Sequence, residues 1–167
     1  MPPVTSSRPR SAEATLFVAD ALQVNKPGAF TAGVVQDPAT GKVFNVTRCN
    51  NYAVAFMCAL GVKLPLLTAD QLYDYLSGPG GAADGWAEVT ADEAKQRALV
   101  GFPTLAVWHS AGEDIHGHIA VVIPAPEGAP GIYVSAAGAP LATFISGRIE
   151  ATFGSARMAA VRYFSHA

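Results

Sequence analysis

The segment from Cys49 to Leu60 constrains the fold most, because it is apolar on almost every side when wound as a helix. Thr47 is expected to cap the start of this helix, and Gly61 supplies the left-handed residue that ends many helices. An isolated helix of this kind would expose apolar surface in every direction. We therefore expect it to be buried at the centre of the domain, covered by other elements.

Three more helices are predicted from capping residues and apolar periodicity. Ser11 is expected to cap a helix that reaches about Leu22. Reciprocal Thr-x-x-Gln and Thr-x-x-Glu capping boxes open the other two, which are predicted over Ala69–Leu76 and Ala91–Val100. The first part of the chain is therefore predicted to be mainly helical.

The pattern changes after Pro103, where short β-branched and aromatic runs alternate with Gly- and Pro-rich turns. These runs predict strands over Thr104–Trp108, His118–Ile123, Ile132–Ser135 and Ala160–Phe164. Helices followed by a meander of strands indicate an α+β domain, in which the central helix packs on an antiparallel sheet.

Length and charge limit the classes of function. The 167 residues suffice for one core, so we expect a flexible N-terminus over residues 1–10 and a single domain over residues 11–167. A net charge of −2 argues against nucleic acid as a partner. The N-terminus shows neither a signal peptide nor a membrane anchor. We expect a monomer made in the cytoplasm, with no membrane insertion.

Cys49 is the predicted nucleophile. It falls in the first helical turn, where free backbone N–H groups and the positive end of the helix dipole favour a thiolate. Arg48 and Asn50 flank it, whereas Cys58 is expected to be a core residue. The two cysteines are nine residues apart and point to opposite sides of the helix, so no disulfide is expected between them.

A thiol nucleophile needs a base, which is usually a histidine from a distant segment. His166, near the C-terminus, and His109, in a turn, are expected at the surface. His116 and His118 remain, immediately before and at the start of an apolar strand. The strand favours His118 as the base, because a side chain on a sheet is held more rigidly than one in a turn.

The Cys helix and the His strand contain the stretches TRCN at 47–50, LGV at 60–62 and GHIAVV at 117–122. In these stretches, and in the order of a Cys helix followed by a His strand, the chain resembles the CHAP and NlpC-type cysteine amidases and peptidases of peptidoglycan, which are papain-like. Three later stretches, AAGA at 136–139, FG at 153–154 and VRYF at 161–164, resemble a branch of phage enzymes and interbacterial toxins in this group. The likeness covers roughly residues 40–165.

The resemblance implies a papain-like fold, with Cys49 as nucleophile, His118 as general base, and no cofactor or metal. The family usually orients its histidine with a polar residue on the next strand, where Ser135 is the candidate. Glu113, Asp114 or a backbone carbonyl are the alternatives for this third group. The backbone N–H of Cys49 would help hold the oxyanion, with Asn50 and Asn51 as further candidate donors.

The implied substrate is the stem peptide of peptidoglycan. The implied context is a phage lysis enzyme or a secreted antibacterial effector that acts in the periplasm or cell wall. Delivery would then depend on a secretion machine, a holin or cell lysis. An effector would be accompanied by a cognate immunity protein.

Two other functions remain open. His116 and His118 could form part of a metal-dependent hydrolase, with Glu113, Asp114 and His109 nearby in the sequence. Alternatively, the chain could be a non-catalytic module that binds the cell wall or a protein partner, because a fold alone never establishes activity.

Overall fold

A six-stranded antiparallel sheet separates two layers of helices in the computed structural model of the protein. The helices are α1 (Ala12–Ala21), α2 (Cys49–Ala59), α3 (Ala69–Ser77), α4 (Pro79–Ala83), α5 (Ala91–Leu99) and α6 (Ile149–Phe153), with a 3₁₀ helix at Ser155–Ala160. The structure describes residues 10–26, 28–36, 38–41, 43–110, 116–138 and 143–167, without the side chains of residues 35 and 44–46.

The strands confirm the predicted α+β class. They are β1 (Gly33–Gln36), β2 (Val43–Val46), β3 (Trp86–Val89), β4 (Thr104–Trp108), β5 (His118–Ile123), β6 (Tyr133–Ala136), β7 (Phe144–Arg148) and β8 (Arg162–His166). The main sheet has the order β3-β8-β4-β5-β6-β7, and β1 with β2 forms a separate hairpin. Trp108 lies opposite His118 where β4 and β5 pair.

Local capping explains most helix boundaries. The Ser11 side chain accepts a hydrogen bond from the Ala14 N–H at 2.9 Å, and both predicted capping boxes form, at Thr68 and Thr90. Gly61 takes the left-handed conformation, with φ of 74°. The prediction for Thr47 is wrong: the residue that precedes α2 is Arg48, and its side chain makes no capping bond.

Each face of the sheet has its own core. On one face, α1, α2 and α3 pack on Ile119, Val121 and Ile123 of β5. On the other face, α5 and α6 pack on Ala120 and Val122. Side chains alternate along a strand, so consecutive residues of β5 belong to different cores. Among the described residues, no helix is long and apolar enough to span a bilayer.

Candidate functional site

Cys49 lies at the N-terminal end of α2, the helix that packs against β5. Its side chain is only 4% exposed, and its Sγ lies 3.6 Å from the Thr47 hydroxyl, a hydrogen-bonding distance for sulfur. The first helical hydrogen bond runs from the Tyr52 N–H to the Arg48 carbonyl at 2.9 Å. The amides of residues 49–51 therefore have no acceptor further back in the helix. Amides at a helix start are the backbone groups that commonly bind anions.

A pocket of about 300 Å³ opens beside Cys49. Its walls are the start of α2, the start of α3, and the pair His116–Gly117 that leads into β5. Asn50 Nδ2 donates to the Leu67 carbonyl at 2.8 Å and ties the chain before α3 to the start of α2. One of its two donor hydrogens therefore has a structural partner, which limits the role expected for Asn50 as an oxyanion donor.

The expected pairing of Cys49 with His118 is absent from this structure. His118 packs edge-on against Phe153 of α6, with ring centroids 5.1 Å apart, on the α5 and α6 face of the sheet. Cys49 belongs to the core on the opposite face, together with Ile119 and Val121. The sheet therefore separates the two side chains, because His118 has the same strand parity as Ala120.

His118 lies beside the Phe153 ring and within reach of the positive charge of Arg157. Its Nε2 is buried and has no hydrogen-bond partner among the residues that the structure describes. Burial, with a smaller contribution from the positive charge of Arg157, lowers the pKa of His118 to about 4. The imidazole is consequently neutral at physiological pH.

His116, and not His118, lies at the pocket that contains Cys49. It is exposed, and it lines the pocket together with Cys49. The rigidity of the strand therefore does not decide which histidine reaches the pocket, because the residue before the strand lines it with Cys49 and the strand residue packs on the opposite face.

The same geometry bears on the alternative metal site. His116 lines the pocket while His118 packs on the opposite face, so the two rings do not converge. No group of three or more His, Cys, Asp or Glu side chains suited to a metal ion is found in the described part of the chain. Glu113 and Asp114 lie outside the described residues.

Ser135 lies in β6 on the face that α2 covers, next to Val121 in the register. Its hydroxyl is 2.5 Å from the Tyr52 hydroxyl and 3.3 Å from the Phe144 carbonyl. It links α2 to the sheet, and the expected orientation of His118 by Ser135 is not seen. Burial, partly offset by the bond to Ser135, raises the pKa of Tyr52 to about 12.

Asp70 is a residue of the site region that the sequence analysis missed. Its carboxylate accepts hydrogen bonds from the Ser110 N–H at 2.8 Å, the Ser110 hydroxyl at 3.0 Å and the Gly117 N–H at 3.2 Å. In the sequence it is one more acidic residue in a first helical turn, a position that the helix dipole alone explains. Nothing local indicated a partner 40 residues away.

Three further expectations are corrected or refined. Cys58 is exposed, so its predicted core role is wrong. His166 is buried, and its Nε2 lies 2.8 Å from the Asp84 carbonyl, which contradicts the expected surface position. His109 is exposed as expected, and its ring nitrogens lie 3.9 Å and 3.8 Å from Asp70 and Asp74.

Comparison with known proteins adds no relative: no protein-family model matches the sequence, and no curated protein matches it.

Proposed function

We propose that the protein is a cysteine hydrolase of papain-like type that cleaves amide bonds, with Cys49 as nucleophile and His116 as the general acid and base. One observation supports this assignment above the others: Cys49, in the first turn of α2, and His116, at the entrance to β5, line the same pocket. A nucleophile at a helix start with a histidine across a pocket is the arrangement that thiol catalysis requires.

The reaction follows from these groups. The Cys49 thiolate attacks the substrate carbonyl carbon, and the amides at the start of α2 stabilise the oxyanion. The C–N bond breaks as protonated His116 gives its proton to the leaving nitrogen. His116 then takes a proton from water, the hydroxide adds to the thioester carbon, and the C–S bond breaks. The acid is released and the thiolate is restored.

Peptidoglycan stem peptides are the proposed substrate. A Cys at the start of a helix, followed along the chain by a His at the entrance to a strand, resembles the arrangement of the CHAP and NlpC-type enzymes, which act on these peptides. Arg48 adds a second reason, because it lines the pocket and forms no ion pair with any residue that the structure describes. A guanidinium at this position favours a substrate with free carboxylates, which stem peptides have.

The direct test is mass spectrometry of purified muropeptides after incubation with the protein. We expect products that have gained one water, and their masses identify the bond that is cut. Cys49→Ala should lower turnover to background, whereas Cys58→Ala is the matched control because that thiol is exposed on the same helix. Turnover that persists in Cys49→Ala would exclude the cysteine mechanism.

We further propose that the protein acts outside the inner membrane, as a phage lysis enzyme or a delivered antibacterial effector. Expression without a leader in a Gram-negative host should be harmless, because no cross-linked peptidoglycan is within reach. A periplasmic leader should cause lysis, and Cys49→Ala in the same vector should protect the cells. An effector would also require an immunity protein that covers the pocket. Lysis by the exported Cys49→Ala variant would contradict peptidoglycan hydrolysis as the cause.

The burial of Cys49 supports a second candidate, a non-catalytic module that uses the pocket to bind peptides. The two functions differ in thiol accessibility. A hydrolase should be inactivated by iodoacetamide in a reaction that muropeptides slow. A binding module would retain muropeptide affinity in Cys49→Ala and show no turnover in either form.

A further inference from the structure

The chain that carries His116 leaves the sheet after Trp108 and returns to it at His118, and these two residues are paired across β4 and β5. Within this connection, Ser110 and Gly117 both bond to the carboxylate of Asp70 on α3. Gly117 is the immediate neighbour of His116. One side chain from another element therefore holds the connection at two points.

Both carboxylate oxygens of Asp70 take part. Oδ1 accepts from the Ser110 N–H, and Oδ2 accepts from the Ser110 hydroxyl and the Gly117 N–H. Two of the three donors are backbone amides, so the contact fixes the path of the main chain. A carboxylate that accepts several backbone N–H bonds is a strong anchor, because charge-assisted hydrogen bonds are stronger than neutral ones.

The close approach of the two segments requires a glycine at position 117. A Cβ there would lie 2.6 Å from the Trp108 carbonyl oxygen and would overlap Asp70 Oδ1. Neither atom is the free end of a flexible side chain, because one is backbone and the other makes hydrogen bonds. The absence of a side chain at Gly117 thus allows the His116 segment to pack closely against α3.

The position and the charge of Asp70 both favour its role as an acceptor for Ser110 and Gly117. It lies in the first turn of α3, a helix fixed by the Thr68 capping box. Burial acts to raise the pKa of Asp70, but the bonds from Ser110 and Gly117 and the charge of His109 outweigh it and lower the pKa below its ordinary value. Among the described residues, the His109 ring lies 3.9 Å from the Asp70 carboxylate and 3.8 Å from the Asp74 carboxylate.

We infer that Asp70 is a positioning residue that holds His116 in the pocket opposite Cys49 by anchoring Ser110 and Gly117. This inference rests on the proposed hydrolase function. Asp70 is not a catalytic residue, because its bonds go to the chain on either side of His116. Its effect is on where the imidazole is held, and displacement of a catalytic group by about 1 Å can cost about 100-fold in rate.

The test compares Asp70→Asn with Asp74→Asn. Both remove one negative charge from α3 near His109, but Asp74 is 71% exposed in its side chain, and no bond from it to Ser110 or Gly117 is found among the described residues. We expect Asp70→Asn to lower kcat on muropeptides by about 100-fold with little change in KM, and Asp74→Asn to leave both constants near wild type. Equal losses in the two variants would show that charge, and not anchoring, matters.

A second measurement does not depend on turnover. NMR of the histidine ring signals, assigned through His116→Ala, reports the surroundings of His116 directly. Asp70→Asn and Gly117→Ala should both shift the His116 signals, whereas Asp74→Asn should not. If Asp70→Asn fails to fold, Ser110→Ala removes one of the three bonds and should produce a smaller shift of the same signals. Unchanged His116 signals in the folded variants would overturn the inference.

The two proposals can fail separately. If the wild-type protein turns over no muropeptide but Asp70→Asn still shifts the His116 signals, the hydrolase proposal falls and the anchoring role stands. If turnover depends on Cys49 and His116 but is normal in Asp70→Asn, the anchoring role falls and the hydrolase stands.

Discussion

The two faces of the central sheet differ in what they can do with a histidine. The face covered by α2 contains large side chains such as Tyr52 and Phe56, and the pocket with Cys49 and His116 opens at its edge. The opposite face is built mainly from alanine and valine beneath α5 and α6, and His118 packs there against Phe153. The two histidines are two residues apart in sequence, yet only one reaches the pocket. The face of the sheet on which a histidine lies therefore decides whether it reaches the nucleophile, and the rigidity of its backbone does not.

The largest expected effect separates the two histidines. His116→Ala should lower kcat/KM by about 10²- to 10⁴-fold, the usual contribution of a general acid and base. His118→Leu should stay within a few-fold of wild type, since that side chain lies across the sheet from Cys49. The measurement is steady-state kinetics on muropeptides, with thermal melting to show that both variants are folded.

The reverse pattern would break the comparison between the faces. One such result would be an inactive but folded His118→Leu variant together with an active His116→Ala variant. It would mean that His118, and not His116, reaches Cys49 in the active protein, so that the side chains of β5 point to the faces opposite to those seen here. The original expectation of His118 as the base would then be restored.

Local signals in the sequence were sufficient for several elements. The capping boxes at Thr68 and Thr90 each predicted a helix start correctly, because the donors and acceptors lie within four residues. The limits of β4 and β5 were also predicted correctly, since turn residues bound each run. Strand β7 was missed, because Phe144–Arg148 has no clear alternation and pairs with β6 through an irregular register.

The site was harder to predict because it depends on which side faces inward. Strand β5 is buried on both faces from Ile119 onwards, so its sequence lacks the apolar–polar alternation that would show where His118 points. The same difficulty explains the wrong prediction for Cys58: an almost wholly apolar helix does not reveal that this thiol is exposed while Cys49 is buried. Asp70 was missed because its partners are distant in sequence.

The next effect concerns acid stability on the α5 and α6 face. The folded-state pKa of His118 is about 4, below its ordinary value of 6.5, so the unfolded chain binds more protons between these values. The contribution of neutral His118 to the free energy of unfolding is therefore complete above about pH 6.5 and is lost as the pH falls towards 4. The loss amounts to up to about 3 kcal/mol, and urea unfolding at a series of pH values measures it.

His118→Leu is the control for this effect. Leucine cannot titrate and leaves no unpaired Nε2, so its stability at neutral pH should be equal to or above that of wild type. Its stability should fall less between pH 6.5 and 4. His166, whose pKa is also lowered mainly by burial, still titrates in both proteins and cancels in the difference. Parallel pH curves for the two proteins would show that His118 is not buried in its neutral form.

The smallest effect tests the other face, at the bond between Tyr52 and Ser135. Tyr52→Phe removes one hydroxyl and leaves Ser135 bonded to the Phe144 carbonyl, so it should cost about 1 kcal/mol of unfolding free energy. Ser135→Ala leaves the buried phenol without that partner and should cost somewhat more, about 1–3 kcal/mol. A double-mutant cycle in urea should return a coupling of about 1 kcal/mol, because the two hydroxyls contact each other directly.

Kinetics on the same variants decide between a structural and a catalytic Ser135. If Ser135 only links α2 to the sheet, Tyr52→Phe and Ser135→Ala should both change kcat only slightly, since both break the bond that joins α2 to β6. A catalytic Ser135 would behave differently, because Ser135→Ala alone would lower kcat by about tenfold or more while Tyr52→Phe stayed near wild type. The geometry predicts the first outcome: the Ser135 hydroxyl bonds to Tyr52 on the α2 face, and His118 lies on the other.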